Sequence, residues 1–384
     1  MILYISNATD YGIYNDLFSK DQIHPGYQVQ KFNNNIIRGL SQFDSVVALS
    51  ALHFKVGHER IDETIDNVRY VCIQNRQGTL HKFWNIFGLY SEGVKIVRAN
   101  RPRYVLCDAI SSSPCFVSQL LAKRFGIPQI GIITDLPGML GSNKDPNLGI
   151  GRLQKFDGYI LLTEQMNEYV NPRQKPYMIM EGLCAPNIQH EKTKKAEPRI
   201  IMYTGSLWKN NAGIEYFTEG FIKANLPNCE LHFYGTGEQV EWLEQISKMH
   251  SQVKYKGCVS NEEIVRLQKE ATLLVNPRPS KEEFCKFSFP SKTIEYMASG
   301  TPVLMTRLPG VPSTYFDYVY TIDNENDNGV CDILQSIFSQ KMDSLVEKGN
   351  NAAKFVINNK SCIAQTQAMN NFCLQICNMI KENK

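Results

Sequence analysis

No run of about 20 uninterrupted apolar residues occurs in this 384-residue chain, so no membrane-spanning helix is expected. The opening Met1-Ile-Leu-Tyr-Ile-Ser6 reads directly as a strand and not as a secretory leader. No C-x-x-C pair is present. The 11 cysteines are odd in number, scattered, and mostly set in apolar runs, as at Cys72, Cys107 and Cys258. A disulfide framework is therefore not expected, and reduced thiols in a cytoplasmic protein are. Cys373 and Cys377 lie one helical turn apart without histidine partners in sequence, so zinc is not expected. There is no low-complexity tract and no repeat at solenoid period. Net charge is also scarce: +3 is too little to argue for nucleic acid. Its location says more. Residues 1–185 hold 19 basic against 16 acidic side chains, whereas 186–384 hold 22 of each. The excess lies wholly in the first half and favours an anionic partner there.

What remains is an ordinary globular composition, 43% hydrophobic and 21% charged, long enough for two domains. Short apolar runs at 1–6, 45–50, 104–107, 129–134 and 158–163 read as strands. Residues 28–40, 112–125 and 164–170 between them read as helices. A polar, lysine-rich break at 185–198 reads as a linker. A second alternating series follows, with strands at 199–205, 230–235, 253–257 and 271–277 and helices at 211–224, 239–250 and 262–270. The expected fold class is α/β, with two Rossmann-like doubly wound parallel-sheet domains facing across a cleft. The expected domains are 1–185, 186–365, and a C-terminal helix over 366–384 that packs back toward the first.

The most informative stretch is Phe287-Ser-Phe-Pro-Ser-Lys-Thr-Ile-Glu-Tyr-Met-Ala-Ser-Gly-Thr-Pro-Val303. Pro290 suits a first helical turn, and Gly300 with Pro302 closes the helix before a buried strand at 303–306. Ile294, Met297 and Ala298 share one face, with Lys292, Glu295 and Ser299 opposite. The helix mouth suits a phosphate, flanked by Phe289, Pro290 and Ser291, with Lys292 adding charge. Glu295, one turn deeper, is placed to accept hydrogen bonds from a vicinal diol. That is the layout of a nucleotide-diphosphate site. The plain alternative is a solvated Lys292–Glu295 pair contributing ~0.3 kcal/mol.

Neighbouring motifs bear on that choice. Tyr203-Thr-Gly-Ser-Leu-Trp208 ends a strand where Gly205 and Ser206 let backbone approach a ligand, and Lys209 is in reach of a phosphate. Phe233-Tyr-Gly-Thr-Gly237 lacks the third glycine of a dinucleotide fingerprint and reads as a tight turn. The strand end at Gly257-Cys258 offers backbone groups to a flat base, or is an ordinary turn. In Asn276-Pro-Arg-Pro-Ser280, Arg278 is either a fork for diphosphate oxygens or a surface arginine.

Taken in order, these pieces over 199–310 resemble the donor-binding half of GT-B glycosyltransferases of family 4, the retaining "group 1" type found in bacterial capsule and exopolysaccharide biosynthesis. The first half fits more loosely, through Gln30-Lys-Phe-Asn33, Ile132-Ile-Thr-Asp-Leu-Pro137 and Tyr159-Ile-Leu-Leu-Thr163. The resemblance implies that Glu295 binds ribose and that Lys292, Arg278 and the amides around Pro290 face the diphosphate. It also implies retention of anomeric configuration, no required metal or other cofactor, and a donor that is UDP-linked by family habit. Three departures stand out. Phe287 occupies the position of the family's first glutamate, Ser206 that of a frequent arginine, and Ala212 that of the usual lysine before the next glycine, for which Lys209 is the candidate substitute.

In the first half, Asp135 and Asp108 end apolar strands, where functional side chains gather, and Asp135 is expected to touch sugar or acceptor or else to cap a helix. His24 is a candidate for the acceptor pocket or a loop histidine without a role. Residues 81–103 mix aromatic and basic side chains, either as a surface for an anionic bilayer or as a core-facing helix with a solvated basic end. The expected activity is sugar transfer from a nucleotide-diphosphate sugar to a saccharide, lipid-linked acceptor in surface polysaccharide biosynthesis, in the cytoplasm at the inner face of the membrane. The alternatives are a catalytically silent nucleotide-sugar-binding subunit and a nucleotide-sugar 2-epimerase.

Overall fold

The computed structural model describes residues 1–18, 27–52, 58–74, 80–137, 147–184, 195, 197–208 and 213–382. The chain forms two compact units, one of residues 1–185 with 362–384 and the other of residues 186–361.

The first unit is built on eight strands: β1 (Ile2–Ser6), β2 (Val46–Ser50), β3 (Ile61–Ile65), β4 (Val68–Cys72), β5 (Val105–Asp108), β6 (Gln129–Ile133), β7 (Gly158–Leu161) and β8 (Tyr177–Ile179). Their order in the sheet is β3-β4-β2-β1-β5-β6-β7-β8. All neighbours are parallel except β3 and β4, a hairpin turned by Asp66 and Asn67, both in the left-handed region. The hairpin escapes a reading by hydrophobic runs because the middle of β3 is exposed and polar. Every residue of β1 and β2 is buried, as expected of central parallel strands covered on both faces.

The helices are α1 (Tyr11–Phe18), α2 (Tyr27–Leu40), α3 (His81–Asn100), α4 (Ser112–Phe125), α5 (Asn147–Leu153) and α6 (Met166–Val170). Two halves of α3 behave differently. Leu89, Gly93, Ile96 and Val97 enter the core beside α4, whereas Leu80, Phe83, Trp84 and Phe87 at its start are 65%, 64%, 41% and 60% exposed. The helix has a core-facing end and an aromatic end turned to solvent.

The second unit has six parallel strands, β9 (Arg199–Thr204), β10 (Cys229–Tyr234), β11 (Val253–Tyr255), β12 (Leu273–Asn276), β13 (Val303–Thr306) and β14 (Tyr320–Ile322), ordered β11-β10-β9-β12-β13-β14. Around them lie α7 (Ile214–Ala224), α8 (Val240–Met249), α9 (Asn261–Glu270), α10 (Ser291–Ala298), α11 (Asp327–Phe338) and α12 (Met342–Lys360). The strand order reverses between β9 and β12, and the crevice beyond their carboxyl ends is the expected ligand position in an open parallel sheet. Gly205 follows one of these strands and Arg278 the other.

The last helix, α13 (Cys362–Glu382), begins four residues before the expected 366 and belongs to the first unit. Its Met369, Cys373, Ile376 and Cys377 join Ile2, Tyr4, Ile37, Leu106 and Ile130 in one core. Asn370 Oδ1 accepts a 2.7 Å hydrogen bond from the Tyr104 hydroxyl. All 11 cysteines are thiols, only Cys258 is exposed, and Cys373 and Cys377 serve as small core hydrophobes.

Ile376→Ala is expected to cost ~2–5 kcal/mol, because the truncated contact lies in the first unit's core. Urea unfolding followed by a probe in residues 1–185 measures this. A loss below ~0.5 kcal/mol, the level of a surface change, would show α13 to be peripheral.

Candidate functional site

The site of the second unit is assembled from three chain segments. β9 carries the chain to Gly205, whose φ of 131° is denied to most side chains. The adjoining turn requires glycine for a second reason: a Cβ at Gly235 would lie 1.8 Å from the Gly205 carbonyl oxygen. The Phe233–Gly237 stretch is therefore a turn packed against the loop after β9. Its Gly235 N–H donates to the Gly257 carbonyl at 3.0 Å, and Leu207 N–H donates to Thr236 O at 2.9 Å.

The second segment is α10. Pro290 stands at its N-cap with extended backbone and no side chain caps the first turn, so amide groups at the mouth lack an intrahelical acceptor. Thr293, Ile294, Tyr296, Met297 and Ala298 are buried, which fixes the roll of the helix. Tyr296 locks it to β9: its hydroxyl accepts from Thr204 N–H at 2.8 Å and donates to Thr204 O at 3.1 Å. That roll carries Lys292 toward Gly205, where a Cβ would come within 2.8 Å of Nζ. The residue keeps some exposed surface, but its ammonium is enclosed by protein. Nζ donates to the Tyr203 hydroxyl at 2.9 Å and lies 4.1 Å from that ring's centroid.

The third segment follows β12. Arg278 donates from Nη1 to Ser288 Oγ at 3.2 Å and its guanidinium lies 4.6 Å from the Phe284 ring centroid. Its buried Nε has no hydrogen-bond partner. Burial, and then the Arg278 charge, pull the Lys292 ammonium down to about 7, against the opposing attraction of Glu295. Burial likewise lowers Arg278 from its ordinary value. Two close cations and an uncapped helix mouth, with Glu295 one turn away on an exposed face, form a concentration of positive potential suited to a multiply charged anion.

The structure thus brings Gly205, Ser206, Arg278, Pro290, Ser291, Lys292 and Glu295 around one loop–helix junction. Gly257 and Cys258 follow β11, two strands from β9, and are joined to the junction through Gly235 after the intervening β10. The Phe289 side chain is buried against Tyr315, ring centroids 5.1 Å apart, so only its backbone can serve the site. Phe287 is also buried, 4% exposed. Lys209 and His24 lie outside the described residues. Asp135 belongs to the first unit: its Oδ1 accepts from Leu136 N–H at 2.8 Å, and burial raises its carboxyl above the ordinary value. Asp108 is more deeply buried and also raised by burial; its Oδ2 accepts from Ser111 Oγ at 2.9 Å.

Three residues were not assigned roles from sequence: Tyr203, Ser288 and Tyr296. Each was visible inside a motif, but their partnerships join residues 10 to 92 positions apart. Tertiary packing of the helix and its preceding loop on the sheet brings such positions together.

Residues 198–340 match the family described as Glycosyl transferases group 1. No curated protein sequence matches the chain. Among solved structures, similarity extends over nearly the whole length. Sucrose-phosphate synthase from Thermosynechococcus elongatus is 14% identical with a TM-score of 0.63, covering 96% of this chain and 98% of that one. The Anabaena protein HepE in complex with UDP is 10% identical with a TM-score of 0.63, over 96% and 98%. The lipopolysaccharide outer core galactosyltransferase WaaB is 16% identical with a TM-score of 0.61, over 97% and 99%. The fold is that of GT-B glycosyltransferases, and the matched domain supports glycosyltransferase activity.

The depressed Lys292 ammonium makes a stability prediction. Between about 7 and its ordinary value near 10.5, the unfolded chain binds the proton that the folded chain has lost, so stability rises with pH across this window. Lys292→Met should therefore stabilise the unliganded protein at pH 6, on the order of 1 kcal/mol, with the gain shrinking toward pH 10. Denaturation midpoints across that range measure it. A gain that does not change with pH would remove the enclosed ammonium from the account.

Proposed function

We propose that the chain transfers a sugar from a nucleotide-diphosphate donor, UDP-linked, to a saccharide acceptor carried on a lipid, with retention of anomeric configuration, in surface polysaccharide assembly. The observation that carries this reading is the pairing of Lys292 and Arg278 at the uncapped start of α10. In the donor complex, Lys292 and Arg278 meet the diphosphate together with the amides around Ser291. Glu295 accepts from the ribose hydroxyls, and the backbone at Gly257-Cys258 borders the base. As the glycosidic bond breaks, negative charge grows on the leaving diphosphate. Donors already aimed there stabilise it without reorganisation, typically by ~3 kcal/mol each. The cations thereby take the part that a metal ion plays in other phosphate chemistry. Asp135 is proposed to contact sugar or acceptor.

The reading of the nucleotide draws support from HepE, which was solved with UDP. The lipid-linked acceptor draws support from α3. Leu80, Phe83, Trp84 and Phe87 expose large apolar side chains on successive turns beside Lys82, a composition suited to the interface of an anionic bilayer. Among the described residues no helix is long and apolar enough to cross a membrane. Peripheral contact at the inner face of the membrane is thus the proposed location.

Two measurements test these statements. UDP at a hundred times its dissociation constant should add ~2.7 kcal/mol of stability, and Lys292→Ala should lower sugar transfer by about 10²–10³-fold while the fold persists. Transfer at near-normal rate in that variant would remove the site; tight UDP binding without any sugar release would favour a silent binding subunit. Separately, the double substitution Phe83→Ser with Phe87→Ser should reduce sedimentation with phosphatidylglycerol vesicles at least tenfold and leave UDP binding unchanged. Undiminished sedimentation would dissociate α3 from any bilayer.

A further inference from the structure

The end of β9 contains a hydrogen-bond relay whose geometry exceeds what packing requires. Tyr203 is 2% exposed and its ring belongs to the core of the second unit, yet its hydroxyl is fully used. It donates to the Ser206 carbonyl at 2.7 Å and accepts from Lys292 Nζ at 2.9 Å. A phenol has one proton, so donating to Ser206 leaves its lone pairs as the acceptor for Lys292. The ammonium also lies 4.1 Å from the ring centroid, within cation–π range. One tyrosine thus fixes the backbone of the Gly205-Ser206 turn and the position of the cation beneath it. Among the described residues, the remaining ionisable neighbours of Lys292 are Arg278, after β12, and Glu295 on its own helix; Cys285 stands beyond, against Arg278.

We infer that Tyr203 is a positioning residue for the donor diphosphate: its hydroxyl holds Lys292 in register with the Gly205-Ser206 turn and favours the charged form that meets the diphosphate, on a lysine whose enclosure couples diphosphate binding to proton uptake. The inference rests on the reading of α10 and Lys292 as the diphosphate site. Among the described residues the ammonium donates one hydrogen bond, to Tyr203, and its two further N–H groups can meet phosphate oxygens. An incoming dianion supplies the missing counter-charge. Because burial and Arg278 hold the free lysine to about 7, binding above that pH must recruit a proton. Removing the Tyr203 hydroxyl takes away an acceptor that favours the charged form, so the unliganded lysine should lose its proton at still lower pH.

The test is a double-mutant cycle read by UDP titration calorimetry at pH 6, 7 and 8, in buffers of differing ionisation enthalpy. The proteins are the wild type, Tyr203→Phe, Lys292→Met and the double variant. In the wild type, affinity should fall as pH rises through about 7, with proton uptake at pH 8 and little at pH 6. Tyr203→Phe, which retains the ring, should weaken binding roughly tenfold or more and move the fall to lower pH. In the Lys292→Met background the same substitution should change affinity less than about twofold, and only the pH dependence of the UDP terminal phosphate itself, which titrates at ~6, should remain. Equal weakening with and without Lys292 would make Tyr203 a packing residue and overturn the inference while leaving the diphosphate site intact. An unshifted pH profile in Tyr203→Phe would do the same. Failure of the wild type to bind UDP would overturn the site itself. Wild-type proton counting needs no variant, so absence of uptake at pH 8 refutes the coupling even if Tyr203→Phe does not fold.

Discussion

The second unit is organised around a positive charge enclosed next to another positive charge. Lys292 and Arg278 come together because β9 and β12 are neighbours in the sheet and α10 is rolled by its buried face. An enclosed cation is costly, and a second one beside it raises the cost. The fold tolerates this through the Tyr203 hydroxyl, the Phe284 ring and the Ser288 hydroxyl, none of which carries charge. Such an arrangement is pre-set for an anion that arrives with its own charge. On the proposed function, the protein bears the electrostatic strain in advance, so little rearrangement is needed at the moment of reaction.

Glycine sets how near the chain can approach that point. Gly205 and Gly235 stack backbone on backbone, and neither position has room for a side chain. The consequence is a surface at the loop–helix junction made largely of peptide groups, with the long side chains of Lys292 and Arg278 entering beside it. Lys292 and Arg278 reach the junction from different elements, so their separation is set by sheet geometry and not by spacing along one helix.

Much of this was legible in the sequence because it rests on local chemistry. Helix 112–125 and strand 303–306 appear at the bounds read from apolar runs and stop signals. The Lys292/Glu295 face and the buried Ile294/Met297/Ala298 face follow from helical period alone. What escaped depends on other physics. The β3–β4 hairpin was hidden by an edge strand whose middle is polar. The three-residue strands β8 and β14 are too short for a periodic signal. Phe289 is a subtler case: its place in the motif puts its backbone at the helix mouth, while apolar burial against Tyr315 takes the side chain. Tyr203 shows the reverse, a residue that reads as core yet carries a polar group to Lys292.

The position of α13 has a consequence for how the polypeptide becomes a protein. Residues 362–382 fill the core built by β1, β5 and β6, so the second unit is an insertion within the first. On a ribosome residues 1–185 emerge before 362–382 and lack the hydrophobic surface that seals them until that helix follows. The intervening 176 residues, 186–361, form a contiguous unit that can close on itself in the meantime. The amino-terminal half therefore reaches its final packing last, and a nascent chain halted before residue 362 leaves Ile2, Tyr4, Leu106 and Ile130 without their cover.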